Sequence, residues 1–369
     1  MINLNIQKEK QIAVWAVTER GGRLGETLVA KIPYATLFVP AGLEAVFSKA
    51  SSFDTLIDSV RRQFAGCSGH VFIMAAGIVV RAIAPVIEHK TKDPAVVVMD
   101  EKGRHAISLL SGHIGGANSL AGRVAAAVGA TPVITTATDV NTVPAIDVLA
   151  HKQGLVFENP SAIKYVHMAF LRQEPVWLFD PLNIFKDNID DHWVERIATL
   201  DNVSALGGAN GKPPTGIFVD DRVVALEEEV LVLRPPTLAA GIGCNRGTDM
   251  LEIRQLVFSV LADRSLSSRS LRLLGSIDLK TGEAGLLSFS RKEKIPILFF
   301  SREELNNVGT IQTPSEAVRR AVGVKNVCEA AAILAAGHGE LIIPKQKTRN
   351  ATLAVARTPC MSWASVPGR

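Results

Sequence analysis

Cysteines are few in this chain of 369 residues, and none of them forms a CxxC pair. They stand far apart, at Cys67, Cys244, Cys328 and Cys360. This spacing argues against a zinc knuckle and against the disulfide framework of a small secreted domain. The eight histidines show no HxH or HxxxH spacing, so the sequence predicts no metal site of the protein's own.

Long hydrophobic runs are also missing. Runs such as "VFIMAAGIVV" have about half the length that a membrane-spanning helix needs, and the N-terminal stretch lacks the apolar core of a signal peptide. The net charge of +4 is too small to indicate nucleic acid, but it suits an anionic small substrate. We therefore expect a soluble, cytoplasmic protein without a membrane or nucleic-acid partner.

Strand-like runs alternate with helical patterns in the first part of the chain. The clearest helical pattern places apolar residues on one face from Ala117 to Val128 and ends at Gly129. The runs "PAVVVMD" and "HAISLLS" flank a turn at Lys102-Gly103, which predicts a hairpin. Strands that alternate with helices are typical of an α/β domain with a mostly parallel or mixed sheet.

Three domains and a tail are predicted. They are an N-terminal α/β domain at 1–150, a small α+β middle module at 151–236, a second α/β domain at 237–357 and a disordered tail at 358–369. In the middle module, "GIFVDDRVVALEEEVLVLRPP" is typical of short antiparallel strands with polar turns. The expected fold class is α/β, with two Rossmann-like three-layer αβα units joined by the middle module.

Polar and glycine residues crowd the segment "SGHIGGAN", which lies between a predicted strand and a predicted helix. Ligands of α/β sheets bind outside strand ends, where glycines and helix N-termini favour anions. Ser111, His113 and Asn118 add side-chain donors there. A capped loop with a surface histidine explains the same residues, and the residues alone leave both interpretations open.

A second polar segment, "TTATDVNTVPAID", follows the next predicted strand. It supplies hydroxyls and carboxylates from Thr135, Thr136, Thr138, Asp139 and Asp147. A β-branched strand followed by an Asp or Asn turn would explain most of it. If the two strands are neighbours in one sheet, however, their ends bring Asp139 towards His113.

Arg81 is an isolated charge in the apolar segment "MAAGIVVRAIAP", which predicts a helix that ends at Pro85. An arginine among such neighbours is paired with a protein group, extends to solvent or binds a ligand. Carboxylate binding and structural pairing are equally compatible with the sequence.

The last domain contains a strand, a glycine loop and a helix in "AAGIGCNRGTDMLEI", with Thr248 in the N-cap position. The loop lacks the Walker A and GxGxxG spacings, yet it can form an anion-binding nest to which Arg246 adds charge. Cys244 is interpreted as a small buried residue rather than a nucleophile. Nearby, "SIDLKTGEAGLL" places Asp278, Lys280 and Glu283 just after a strand, where a solvated turn is the alternative.

These motifs together resemble the cobalamin biosynthesis protein G family. Three segments resemble the N-terminal half of that family: "FIMAAGIVVRAIAP", "DPAVVVMDEKGRHAISLLSGHIGGAN" and "GATPVITTATDVNTVPAIDVLA". Its C-terminal domain is resembled by "GIGCNRGT", "SIDLKTGEAGLL", "PILFFSREEL" and "VCEAAAILAAG". The resemblance implies a cobalt-precorrin-5A hydrolase, which opens a δ-lactone with water and releases C20 as acetaldehyde to give cobalt-precorrin-5B. It also implies a cobalt corrinoid substrate that carries its own metal, so no cofactor of the protein is expected.

Combining this chemistry with position gives a set of expected roles. His113 is the expected general base or acid, and Asp139 orients it or shares its proton. The oxyanion is expected to be stabilised by Ser111 and Asn118 and by the N–H groups of Gly115 and Gly116. Arg81, Arg246 and Lys280 are expected to hold rim carboxylates. Further expected substrate contacts are Gly112, Thr135, Thr136, Gly243, Cys244, Thr248, Asp278 and Glu283.

Two other interpretations stay open at this point. A non-catalytic tetrapyrrole carrier would use the same carboxylate-binding loops, and a nucleotide-binding enzyme would use the glycines, although the spacings argue against it. The sequence does not decide whether the site lies in one domain or between the two α/β domains. It does not give the oligomeric state either, for which a homodimer is one alternative.

Overall fold

A computed structural model of the chain describes residues 11–47, 49–89, 92–205, 214–309, 311–314 and 323–359. The chain divides into two compact units, which join between Val148 and Leu149. In the described ranges, no helix combines the length and the apolar character needed to cross a membrane. Of the predicted tail, the N–H of Thr358 donates to the carbonyl of Thr237, while 360–369 lie outside the described residues.

A seven-stranded sheet forms the centre of the first unit. Its strands are β1 (Ile12–Ala16), β2 (Ala35–Pro40), β3 (Ser51–Phe53), β4 (Gly69–Ile73), β5 (Ala95–Met99), β6 (His105–Leu110) and β7 (Thr131–Val133). The spatial order is β3-β2-β1-β4-β5-β6-β7. Strands β1 to β5 run parallel to one another. β6 is antiparallel to β5, which confirms the predicted hairpin, and β7 is parallel to β6.

Helices cover both faces of this sheet. They are α1 (Glu19–Lys31), α2 (Leu56–Gln63), α3 (Ala76–Ile83) and α4 (Ala117–Val128). Two short helices, α5 (Ala137–Val140) and α6 (Ile146–Lys152), follow β7. Val14 packs on the side of α1 and α4, and its neighbour Trp15 packs on the side of α2 and α3. α4 matches its predicted bounds and ends at Gly129, whose φ of 73° favours glycine. The unit is a three-layer αβα structure.

The reversal between β5 and β6 determines where the polar segments lie. Because β6 and β7 run against the other strands, their carboxyl ends lie at the edge of the sheet where β5 begins. Leu110, the last residue of β6, is opposite Val96 near the start of β5. The two polar loops that follow β6 and β7 therefore leave the sheet side by side.

The second unit begins with a five-stranded sheet that contradicts one prediction. Its elements are β8 (Val156–Phe157), α7 (Ile163–Leu171), β9 (Trp177–Phe179), β10 (Glu195–Arg196), β11 (Gly216–Val219) and β12 (Leu231–Arg234), and the strand order is β10-β9-β11-β12-β8. β11 and β12 pair in parallel, so the predicted antiparallel pairing is wrong. The connection from Asp220 to Val230 is long enough to return the chain to the same end of the sheet.

The second sheet of this unit has the order β15-β14-β13-β17-β16 for the strands β13 (Leu238–Cys244), β14 (Leu271–Ile277), β15 (Ile297–Phe300), β16 (Glu340–Lys347) and β17 (Ala351–Arg357). The first three are parallel, and β16 and β17 add antiparallel pairs. One face packs against α8 (Met250–Asp263) and α9 (Ala284–Glu293), and the other against α10 (Arg302–Asn306) and α11 (Val327–Ala335). The predicted α/β fold class is confirmed.

A buried carboxylate links the two sheets of the second unit. Asp221, which follows β11, accepts hydrogen bonds from Nε and Nη2 of Arg357 at 2.8 Å each and from the hydroxyl of Thr237 at 2.7 Å. Its side chain is 2% exposed. Since Arg357 ends β17, this ion pair fixes the middle sheet to the C-terminal sheet.

Candidate active site

The loop between β6 and α4 is closed by its own backbone. Ser111 leaves β6 with a φ of 59°, a left-handed value that is uncommon outside glycine. The N–H of Gly116 donates to the carbonyl of His113 at 2.8 Å, so this predicted oxyanion donor is engaged within the loop. A Cβ on Gly115 would lie 2.3 Å from Cβ of Ser111 and 2.9 Å from the carbonyl of Asp93. Only glycine, which has no Cβ, fits at position 115.

His113 lies between two carboxylates. Its Nε2 is 3.1 Å from Oδ2 of Asp139, and its Nδ1 is 3.2 Å from Oδ2 of Asp147. The hydroxyl of Thr138 lies 2.9 Å from the same Nε2. The expected proximity of His113 and Asp139 is confirmed, and it follows from the parallel pairing of β6 with β7. Asp147 and Thr138 complete the cluster, although neither was predicted as a catalytic residue.

The two carboxylates differ in exposure and in effect. The Asp147 side chain is 9% exposed and that of Asp139 is 40% exposed. The hydrogen bond to Asp147 is the largest influence on His113 and raises its pKa; burial opposes it, and the charges of both aspartates reinforce it. Burial is the largest single influence on Asp139 and raises its pKa. Hydrogen bonds from Thr136, His113 and Asn118 act in the opposite direction and together leave the pKa below its usual value. The two aspartates therefore favour the protonated imidazole, and the contacts of Asp139 favour its ionised form.

Asn118 holds Asp139 in place. Its Nδ2 donates to Oδ2 of Asp139 and to the hydroxyl of Thr136, each at 3.0 Å, and its Oδ1 accepts from Ser108 at 2.6 Å. A Cβ on Gly112 would lie 2.8 Å from Oδ1 of Asn118, which explains a glycine there. The contacts that reach Asp139 within the described ranges all involve Oδ2, so Oδ1 is its outward oxygen.

Three other predicted residues of the first unit are arranged differently. Thr135 is exposed beyond the end of β7, and the buried hydroxyl of Ser111 has no hydrogen-bond partner among the described residues. Arg81 belongs to α3, which leaves the opposite edge of the sheet after β4. Its guanidinium donates to the carbonyl of Gly77 within the same helix at 3.0 Å. The fold does not bring Arg81 to the histidine cluster.

The predicted nest of the second unit already holds a carboxylate. Glu283 accepts from the N–H of Gly247 at 3.0 Å and lies 3.3 Å from Nζ of Lys280. The hydrogen bond from Gly247 is the largest influence on the pKa of Glu283 and lowers it. Arg246 and Asp278 are exposed beside this pair. A substrate carboxylate at Gly247 would have to replace Glu283.

The N-cap prediction for α8 is wrong by one residue. Asp249 is the N-cap, and its carboxylate accepts from the N–H of Leu251. The hydroxyl of Thr248 donates instead to the carbonyl of Asn245 at 2.9 Å. Thr248 therefore closes the loop rather than the helix, because its side chain is buried against the loop backbone.

Cys244 and Gly243 end β13 next to this loop. Burial is the largest influence on the Cys244 thiol and raises its pKa, so the thiol stays protonated at neutral pH. A Cβ on Gly243 would lie 2.7 Å from the hydroxyl of Thr352 on the neighbouring strand. Gly243 fits close packing at the strand end, whereas Cys244 is only partly buried and not the fully buried residue that was predicted. Among the described residues, no three His, Cys, Asp or Glu side chains are arranged to hold a metal ion.

Comparison with known proteins gives matches along nearly the whole chain. Three family models match in order: "Cobalamin synthesis G N-terminal" at residues 58–139, "Cobalamin biosynthesis central region" at 144–235 and "Cobalamin synthesis G C-terminus" at 238–356.

The curated relatives include two proteins named cobalt-precorrin-5A hydrolase. The protein from Priestia megaterium is 33% identical and covers 96% of each chain. The protein from Salmonella typhimurium is 32% identical, over 95% of this chain and 99% of its own. A solved structure from Sulfolobus solfataricus, described as a cobalamin biosynthesis protein G homolog, is 24% identical, covers 95% of this chain and 98% of its own, and has a TM-score of 0.35.

Proposed function

This chain belongs to the cobalamin synthesis G family, and we propose that it acts, as its curated relatives are named, as a cobalt-precorrin-5A hydrolase. The family membership rests on the three ordered family matches and on 33% identity across 96% of the chain. The observation that supports catalysis rather than binding alone is the position of His113 between Asp139 and Asp147.

The proposed reaction has two stages. Water adds to the carbonyl carbon of the substrate's δ-lactone, the ring C–O bond breaks, and a carboxylic acid and an alcohol result. In the second stage a base removes the alcohol proton and the bond from C20 to the macrocycle breaks. C20 leaves with its methyl group as acetaldehyde, and the macrocycle accepts the electron pair and a proton. Cobalt enters and leaves as part of the substrate.

The contacts of His113 favour proton transfer over carboxylate binding. Both ring nitrogens already face protein carboxylates, and the ionised Asp139 would repel a carboxylate of the substrate rim. An imidazolium with a raised pKa is a suitable general acid for the departing alkoxide or for the macrocycle carbon. Asp139, with its outward Oδ1, is the proposed base that receives the proton of water or of the alcohol.

The remaining predicted contacts stay part of the proposal. The N–H of Gly115 and the Ser111 hydroxyl are proposed oxyanion donors, the latter after it turns out of its buried position. In the second unit, exposed Arg246 and the paired Lys280 are the proposed partners of rim carboxylates. Glu283 competes for the same positive groups, so a substrate carboxylate has to displace the Glu283 carboxylate in order to bind there.

Acetaldehyde release from purified cobalt-precorrin-5A tests the proposal. We expect His113→Asn and Asp139→Asn each to lower the rate by about 10²- to 10⁴-fold, the usual contribution of a positioned acid or base. His105→Asn is the matched control, because His105 lies at the other end of β6 beside Asp100 and should leave the rate unchanged.

Two outcomes would contradict the proposal. Acetaldehyde release at the wild-type rate by both site variants would remove His113 and Asp139 from the chemistry. Binding of the corrinoid by the wild-type protein, followed through the absorbance of the macrocycle, without any acetaldehyde release would instead indicate a carrier.

A further inference from the structure

We propose that Thr138 is a positioning residue that allows His113 to exchange a proton without moving. Its hydroxyl would accept the Nε2–H of the imidazolium and donate to Nε2 of the neutral ring. The inference deepens the proposed function and rests on it, since it concerns the same proton transfer. Nothing in the sequence separates Thr138 from the hydroxyls beside it.

The placement of Thr138 is fixed by the fold. It lies in α5 directly before Asp139, the residue is 4% exposed, and its hydroxyl oxygen is 2.9 Å from Nε2 of His113. The N–H of Val143 donates to its carbonyl at 3.0 Å, which closes the turn after α5. A buried hydroxyl held this close to a ring nitrogen is a fixed partner rather than a passing contact.

The two carboxylates that face His113 stabilise its protonated form and not its neutral form. Asp139 on α5 and Asp147 on α6 both raise the pKa of His113, so both stabilise the imidazolium. Once Nε2 has given up its proton, its lone pair faces Oδ2 of Asp139 at 3.1 Å, which is repulsive. The Nδ2 donor of Asn118 is directed to Asp139 and Thr136.

A hydroxyl is suited to this position because it is both donor and acceptor. When His113 passes its Nε2 proton to the substrate, the Thr138 O–H rotates to donate to the vacated Nε2. When the proton taken from water returns to the ring, the hydroxyl rotates back and accepts. Thr138 keeps its own proton throughout, so the net transfer is one proton from His113 to the substrate and one proton back.

NMR titration of the His113 ring in the intact chain tests this role. Thr138→Val keeps the shape of the side chain but removes the donor to the neutral ring, while Asp139 still accepts from the imidazolium. We expect the acid dissociation constant of His113 to fall by roughly three- to tenfold, as for the loss of one hydrogen bond. Thr138→Ser should restore the wild-type titration. Thr138→Ala replaces the valine variant if that variant does not fold.

Turnover provides the second measurement. The kcat for acetaldehyde release should fall in Thr138→Val with KM nearly unchanged and recover in Thr138→Ser. An unchanged His113 titration in both Thr138→Val and Thr138→Ala would overturn the inference. A complete loss of turnover without a titration change would also overturn it, since that result assigns Thr138 as a nucleophile. If the wild-type protein released no acetaldehyde, the proposed function would fail, while the titration would still report on Thr138.

Discussion

Asp147 Oδ2 lies 3.2 Å from Nδ1 of His113, although the two residues are 34 positions apart in the chain. The carboxylate is 9% exposed, so the fold buries an acid against the ring nitrogen that points away from Asp139. Burial of a charge is costly unless a partner compensates it. His113 supplies that partner, and in return its pKa rises.

Replacing Asp147 tests this pairing. In Asp147→Asn the largest influence that raises the His113 pKa is lost, so we expect the pKa to fall. If the imidazolium is the general acid, activity falls when rising pH deprotonates it. In the variant this fall should occur at a lower pH than in the wild type, so acetaldehyde release at pH 7.5 should drop. The pH profile of kcat and an NMR titration of His113 measure the two effects. Asp100→Asn, beside His105, is the control; equal His113 titrations in all three proteins would contradict the pairing.

A second prediction concerns acid stability and His70. This residue is fully buried, its Nδ1 accepts from the Trp15 indole at 3.1 Å, and its Nε2 lies 3.1 Å from the carbonyl of Phe64. Burial lowers its pKa from 6.5 to about 4. Between these values the unfolded chain binds a proton that the folded chain does not, so stability falls as pH decreases from 6.5 to 4. The loss approaches about 3 kcal/mol at the acid end.

Denaturation in urea at several pH values measures this effect. In His70→Gln we expect a lower free energy of unfolding at pH 7, because the aromatic packing around the ring is lost, but a weaker dependence on pH between 6.5 and 4. A variant that retained the full wild-type slope would show that other groups cause the acid sensitivity.

A third prediction concerns the ion pair between the two sheets of the second unit. Asp221→Ala leaves the Arg357 guanidinium without its bidentate acceptor. We expect the free energy of unfolding to fall by about 3 kcal/mol. The loss is smaller to the extent that water hydrates the partly exposed arginine in the variant. Asp191→Ala is the matched control. Its carboxylate is 81% exposed beside Arg196, and its removal should cost no more than about 1 kcal/mol. Equal losses in urea denaturation would contradict the argument.

Local patterns were sufficient to predict several elements. The Lys102-Gly103 turn predicted the hairpin of β5 and β6, and the apolar face that ends at Gly129 predicted α4. Their pairing and packing then bring Asp139 to His113. These features depend on turn chemistry and on periodicity, which are local properties of a sequence.

Other features depend on where distant segments meet. Asp147, in α6, contacts His113 across 34 positions of the chain, and nothing near Asp147 in the sequence predicts that contact. The direction of β11 could not be predicted either, because all of its residues are buried and show no alternation. At Thr248 and Asp249, two adjacent residues were both suitable caps, and packing against Asn245 decided between them.

The reversed direction of β6 places the loops after the strands of one sheet at two opposite edges. β1 to β5 present their carboxyl ends at one edge, and β6 and β7 present theirs at the other, where the histidine cluster lies. Residues after β1 to β5, including the exposed apolar part of α3 with Ile78 and Val80, can therefore change without a direct effect on the proton-transfer residues. A library of substitutions confined to α3 should accordingly leave the NMR titration of His113 unchanged.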